Sequence, residues 1–211
     1  MKNIIKSIVH FKKFLEVWFN TIKIYIRTKF MSKQEKNDIL IQAKTQSEAI
    51  LINKGLTIPF GINLAGYNFK KDSSFRTVAK YNGSSMNGVI NISIKSHLLS
   101  NDVDMVMHNI LHEYSHDIYQ EGINHPHLFF EILNLKKYYS LINYNLPQDD
   151  FIFYDVIIEE EQFCEFFPLY LNEKLKLYFN KEEIEEIETI CKKITKEYLR
   201  NRNIITPEHP T

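Results

Sequence analysis

The sequence predicts an α+β domain, with a small antiparallel or mixed sheet followed by a mostly helical C-terminal half. Three observations point there. Alternating apolar and polar residues flank the turn-rich NGSSMNG, a cappable helix carries HEYSH at 112–116, and beyond residue 127 apolar residues recur at helical spacing. At 211 residues the chain suits one domain with one sizeable core. Its 44% hydrophobic and 25% charged residues are those of a folded protein.

The formal net charge is zero, so no overall field favours nucleic acid. The charge is unevenly spread, however: residues 1–36 carry nine Lys/Arg against two Glu, and residues 148–165 carry seven Asp/Glu and no base. Two cysteines, Cys164 and Cys191, make neither a disulfide framework nor a zinc knuckle.

Residues 1–30 form the first element. Ile4, Ile8, Phe11, Leu15, Trp18, Ile22 and Tyr25 alternate spacings of four and three, which puts one apolar stripe on a long helix beside lysines. Lysines interrupt every apolar run before it reaches the ~7–15 residues of a signal core or the ~20 of a membrane span. This basic amphipathic helix is expected to pack on the domain, on a partner helix, or on an anionic membrane surface. A single domain over 31–205 and a flexible tail at 206–211 complete the organisation. The compartment stays open between cytoplasm and export without a clear signal peptide.

A second helix is expected over 37–54, stopped by Gly55, and Pro59, Gly61 and Gly66 then break the chain. Residues 74–81 and 88–94 read as two strands of a hairpin. Asn101 and Asp102 can cap the helix that carries HEYSH. Further helices are expected over 127–142, 155–179 and 181–201, with Pro168 expected to kink or split the second of these.

HEYSH carries the chemistry. Residues four apart share a helix face, so His112 and His116 can present both imidazoles to one ion, and Glu113 sits beside the water that ion holds. Zinc is the expected metal, with Glu113 as general base. Catalytic zinc needs a third protein ligand and one open position. The histidine-rich NHPHLFFEIL offers His125, with His127 as a weaker variant. The acidic IIEEEQFCEFF offers Glu161, with Glu160 and Glu159 as neighbours.

Two resemblances separate these candidates. The run from His125 is similar to the segment that follows HExxH in SprT-type three-histidine metallopeptidases. Glu161-Gln162-Phe163-Cys164-Glu165-Phe166-Phe167 resembles the E-x-F-A-E-x-F segment of the catalytic domain of anthrax lethal factor and the secreted Pro-Pro endopeptidases, with cysteine in place of alanine. The second resemblance extends over roughly residues 88–178, including a helix around Phe129–Leu133 between the motif and the glutamate, and takes in under half the chain.

The lethal factor resemblance implies a zincin-like metalloprotease domain of the glutamate-ligand kind. It implies His112, His116 and Glu161 on zinc, and Tyr154, seven residues before Glu161, as oxyanion donor. It also implies a peptide or protein substrate added along strand 88–94. Glu165, one turn beyond Glu161, is placed to orient a histidine ligand. The chain is thus expected to be a zinc metalloendopeptidase. A three-histidine enzyme using His125 and an inactive binding or immunity protein stand as alternatives.

Overall fold

The computed structural model describes residues 19, 22–23, 25–56, 62–67, 79–84, 90–95, 102–141 and 154–202. Within the expected N-terminal helix, 25–30 are helical and the helix breaks at 31–32. The tail at 206–211 and most of the stripe from Ile4 to Trp18 lie outside the described residues.

Helix α1, Lys33–Asn53, begins at a capping box: the Ser32 hydroxyl accepts the Glu35 N–H, and the Glu35 carboxylate accepts the Ser32 N–H. It ends beside Gly55, whose φ of 78° lies in the left-handed region that other residues rarely adopt. Three strands follow: β1 Ile62–Tyr67, β2 Ala79–Ser84 and β3 Ile90–Lys95. Next come α2 Val103–Asn124, α3 Pro126–Asn134, the short α4 Lys136–Tyr139 and α5 Tyr154–Leu171. A 3-10 turn at Leu175–Leu177 leads to α6, Lys181–Asn201.

The strands pair in the order β1-β3-β2, with β1 parallel and β2 antiparallel to β3. This small sheet does not set the architecture. Helix accounts for 84% of the residues whose side chains are described. The expectation of an α+β zincin-like domain is therefore overturned: the described molecule is mostly helical. The physical reason is that each strand is only six residues long, while among the described residues the buried apolar faces are presented by long helices.

Strand order brings a second correction. β3 is hydrogen-bonded on both sides, so Ile90–Lys95 offers no free edge on which a peptide could add as a further strand. The parallel partner, β1, has no alternating pattern to announce it, and so the sequence suggested only the hairpin.

Helix α2 is the centre of the packing and touches α1, α3, α5, α6 and the strands β2 and β3. Its apolar face buries Val106, Ile110, Leu111, Tyr114 and Ile118. Each such side chain contributes roughly 1.5–3 kcal/mol when fully withdrawn from water. At Gly122 an added Cβ would lie 2.6 Å from Ile132 Cδ1, so a larger residue there would force the end of that α3 side chain to shift. The single helix expected over 127–142 is instead two, α3 and α4, joined at Leu135. Pro168 does not split α5, which continues to Leu171.

Candidate metal centre

The centre is built where α2 faces α5. Asp102 caps α2, its side chain accepting the Asp104 N–H at 3.0 Å. From there His108, His112, His116 and Gln120 follow at intervals of four and form one row along the helix. On α5 the phenyl rings of Phe163, Phe166 and Phe167 are fully buried, with Phe163 stacked on Phe167 and tilted against Tyr119 of α2. That burial fixes the rotation of α5, and it leaves Glu160, Glu161 and Glu165 against the histidine row. Cys164, fully buried between them, is small enough for the two helices to approach.

The two histidines of the motif turn their Nε2 atoms toward Glu161. His112 Nε2 lies 3.3 Å from Glu161 Oε2, and His116 Nε2 lies 3.6 Å from Glu161 Oε1. The opposite ring nitrogens meet other carboxylates: His112 Nδ1 is 3.2 Å from Glu165 Oε1, and His116 Nδ1 is 2.8 Å from Glu160 Oε1. The side chains of His112 and His116 are each 12% exposed, whereas that of Glu161 is 37% exposed. The centre is thus walled by protein on its histidine side and open on its glutamate side.

His112, Glu113 and His116 form a group that could hold a metal ion, with their ligand atoms all within 4.8 Å of one another. Glu113 is buried. Glu161 lies outside that group, but its two oxygens face the two Nε2 atoms.

Electrostatics fits a cation. Burial works to strip His112 of its proton, but the Glu161 and Glu165 carboxylates outweigh it and push the imidazole up to about 10. Burial works against the Glu161 charge, but His112 and His116 hold its carboxyl below the ordinary carboxylate range. Glu165 is likewise held low by His108 and His112 against the same burial penalty. The proton on His112 stands where a cation would supply positive charge to the same carboxylates. The buried His112 Nδ1 makes no well-aligned hydrogen bond, and Glu165 Oε1 is the acceptor in reach of it. A metal on Nε2 would fix that Nδ1 as the protonated nitrogen and draw it onto the carboxylate.

The other candidates lie elsewhere. His125 ends α2, and its Nε2 pairs with Glu121 Oε1 at 2.8 Å; its side chain is 42% exposed. His127 is exposed. Glu160 engages Nδ1 of His116, on the far side of the ring from Nε2, and Glu159 accepts from Lys136 and Tyr139. Tyr154 opens α5, but its side chain lies outside the described residues.

Two features escaped the sequence analysis. Gln120 donates to Glu160 at 2.9 Å, and its one legible signal was its place in the row. The second is a buried cluster on another face of α2, where Asp117 accepts from Tyr198 and Arg202. An acid between the buried positions Tyr114 and Ile118 was the signal available for it.

Comparison of the chain with protein-family models, with curated proteins and with solved structures gave no match. Among the described residues no helix is long and apolar enough to cross a membrane.

Proposed function

We propose that the chain is a zinc-dependent endopeptidase in which His112, His116 and Glu161 hold the metal and Glu113 is the general base. The observation that carries this reading is the convergence of two Nε2 atoms and one carboxylate, at 3.3 and 3.6 Å, while both Nδ1 atoms face other carboxylates. Two imidazoles and one carboxylate are a donor set that suits zinc and leaves a fourth position open. When bound, the metal would acidify a water and polarise the carbonyl of a peptide bond.

The protein's residues supply the rest. Glu113 takes a proton from the attacking water on its carboxylate and delivers it to the departing amide nitrogen as the C–N bond breaks. Glu160 and Glu165 hold the rings so that Nε2 stays the metal-binding nitrogen. Tyr154, by the lethal factor resemblance, donates a hydrogen bond from its hydroxyl to the developing oxyanion. A substrate strand lies along β2, the outer antiparallel strand that packs against α2, and not along β3.

The test is zinc content by elemental analysis together with cleavage of a mixed peptide library. Wild type is expected to carry one zinc and to cleave. Glu113→Gln is expected to keep the zinc and lose about 10²–10⁴-fold in turnover. Stoichiometric zinc without cleavage of any peptide would turn the reading toward an inactive binding protein.

A further inference from the structure

The row along α2 has two outer members that the proposed chemistry does not use. His108 Nε2 lies 3.1 Å from Glu165 Oε2, while the other oxygen of that carboxylate faces His112 Nδ1 at 3.2 Å. At the other end Gln120 Nε2 donates to Glu160 Oε1 at 2.9 Å, the same oxygen that meets His116 Nδ1 at 2.8 Å. Each inner histidine therefore has its own carboxylate from α5. Each carboxylate is in turn gripped by the residue one helical turn farther out.

We propose that His108 and Gln120 are positioning residues that hold Glu165 and Glu160 in place, so that these fix the ring orientation and tautomer of the two histidines at the metal. This inference rests on the metal-centre reading given above. A glutamate side chain has three rotatable bonds, and its contact with one imidazole leaves most of that freedom. A second donor on the same helix as the imidazole removes it, because two points four residues apart on α2 then define where the carboxylate sits. Glu165 is the more constrained, since its two oxygens are divided between two imidazoles. Glu160 receives both contacts on one oxygen, and Gln120 is exposed at the end of the row. The grip of His108 is therefore expected to matter more than that of Gln120.

Zinc affinity of the full chain, measured by competition with a chromogenic chelator, reads this directly. His108→Ala is expected to keep one-to-one binding but weaken it about tenfold or more, in the range that removing such a supporting contact produces. Gln120→Ala is expected to have a smaller effect in the same direction. His108→Gln, which restores an N–H donor facing Glu165, is expected to recover most of the affinity. Thermal melts of the metal-free variants serve as the check on folding, and are expected to match wild type far more closely than the affinities do. Wild-type affinity in His108→Ala would overturn the inference, and so would equal losses in His108→Ala and His108→Gln. Loss of zinc in Glu161→Ala alongside unchanged binding in His108→Ala overturns the positioning role alone. Failure of the wild type to bind zinc overturns the metal-centre reading and this inference together.

Discussion

On the side of α2 that faces α5, three imidazoles meet four carboxylates, those of Glu113, Glu160, Glu161 and Glu165, at a boundary partly open to solvent. On the side that faces α6, Asp117 is 1% exposed and is closed off by the Tyr198 hydroxyl and the Arg202 guanidinium, with Glu121 at 3.3 Å from Arg202 Nε. Both are ion clusters on the same helix, yet they differ in the nature of their cations. Arg202 carries a permanent charge and closes its cluster without help. The imidazoles carry charge only while protonated, and can exchange those protons for a metal. A cluster that satisfies itself holds two helices together, whereas one that needs an exchangeable cation is suited to bind one.

The most direct way to break this contrast is to remove one carboxylate from each cluster. Glu161→Ala is expected to abolish stoichiometric zinc binding, and to lower the Tm of the metal-free protein less than Asp117→Ala does, because Glu161 is partly exposed and Glu165 remains beside His112. Asp117→Ala is expected to do the reverse. Breaking a buried pair from one side costs about 3–5 kcal/mol, and at 2–4 °C per kcal/mol for a chain of this size Tm should fall by roughly 6–20 °C. Zinc stoichiometry below the new Tm should remain that of wild type. Melting curves and elemental analysis on the same two preparations decide the matter; loss of metal in both would mean that the clusters are one unit.

How the sequence disclosed these two clusters follows from the range of the interactions. The spacing of His112 and His116 is local, and helical geometry alone places them together. Glu161 needed the resemblance of its segment, because nothing local says which of three consecutive glutamates will face a histidine 45 positions earlier. The structure answers through Phe163, Phe166 and Phe167, whose burial sets the rotation of α5. Glu165 was legible by the same argument, one turn farther on. The Asp117 cluster was not legible: Tyr198 and Arg202 lie more than 80 positions away on a helix whose stripe predicts burial but not partners. Strand order was similarly hidden, since a period of two marks a strand without saying which strand lies in the middle.

The pH response sharpens the comparison at smaller amplitude. In chelator-treated protein, His112 is raised from its ordinary 6.5 to about 10, chiefly by Glu161 and Glu165 acting against burial. A group whose folded value is raised contributes stability that is complete below 6.5 and is lost as pH climbs toward 10. Glu161 is lowered from 4.5, so its contribution is complete above 4.5 and is lost as pH falls below it. Urea midpoints of the metal-free protein should therefore hold level between 4.5 and 6.5 and decline on either side. His112→Asn is expected to flatten the alkaline limb. An alkaline limb identical in wild type and His112→Asn would place the ionic stabilisation elsewhere.

The smallest effect tests whether the closed cluster acts through α6 as a rigid element. Asn180 caps α6, its side chain accepting the Glu183 N–H at 3.0 Å, while the Glu183 carboxylate accepts the Asn180 N–H at 2.9 Å. Asn180→Ala should cost about 1 kcal/mol, the usual worth of such a cap. The cap lies at the opposite end of α6 from Tyr198 and Arg202, so if fraying stays within the first turn the two losses are independent. The double variant with Asp117→Ala should then lose the sum of the two single effects to within about 0.5 kcal/mol. A double variant less destabilised than that sum would show that the Asp117 contacts already depend on an intact α6. In that case, the buried cluster would be a property of the whole helix pair and not of the four side chains that compose it.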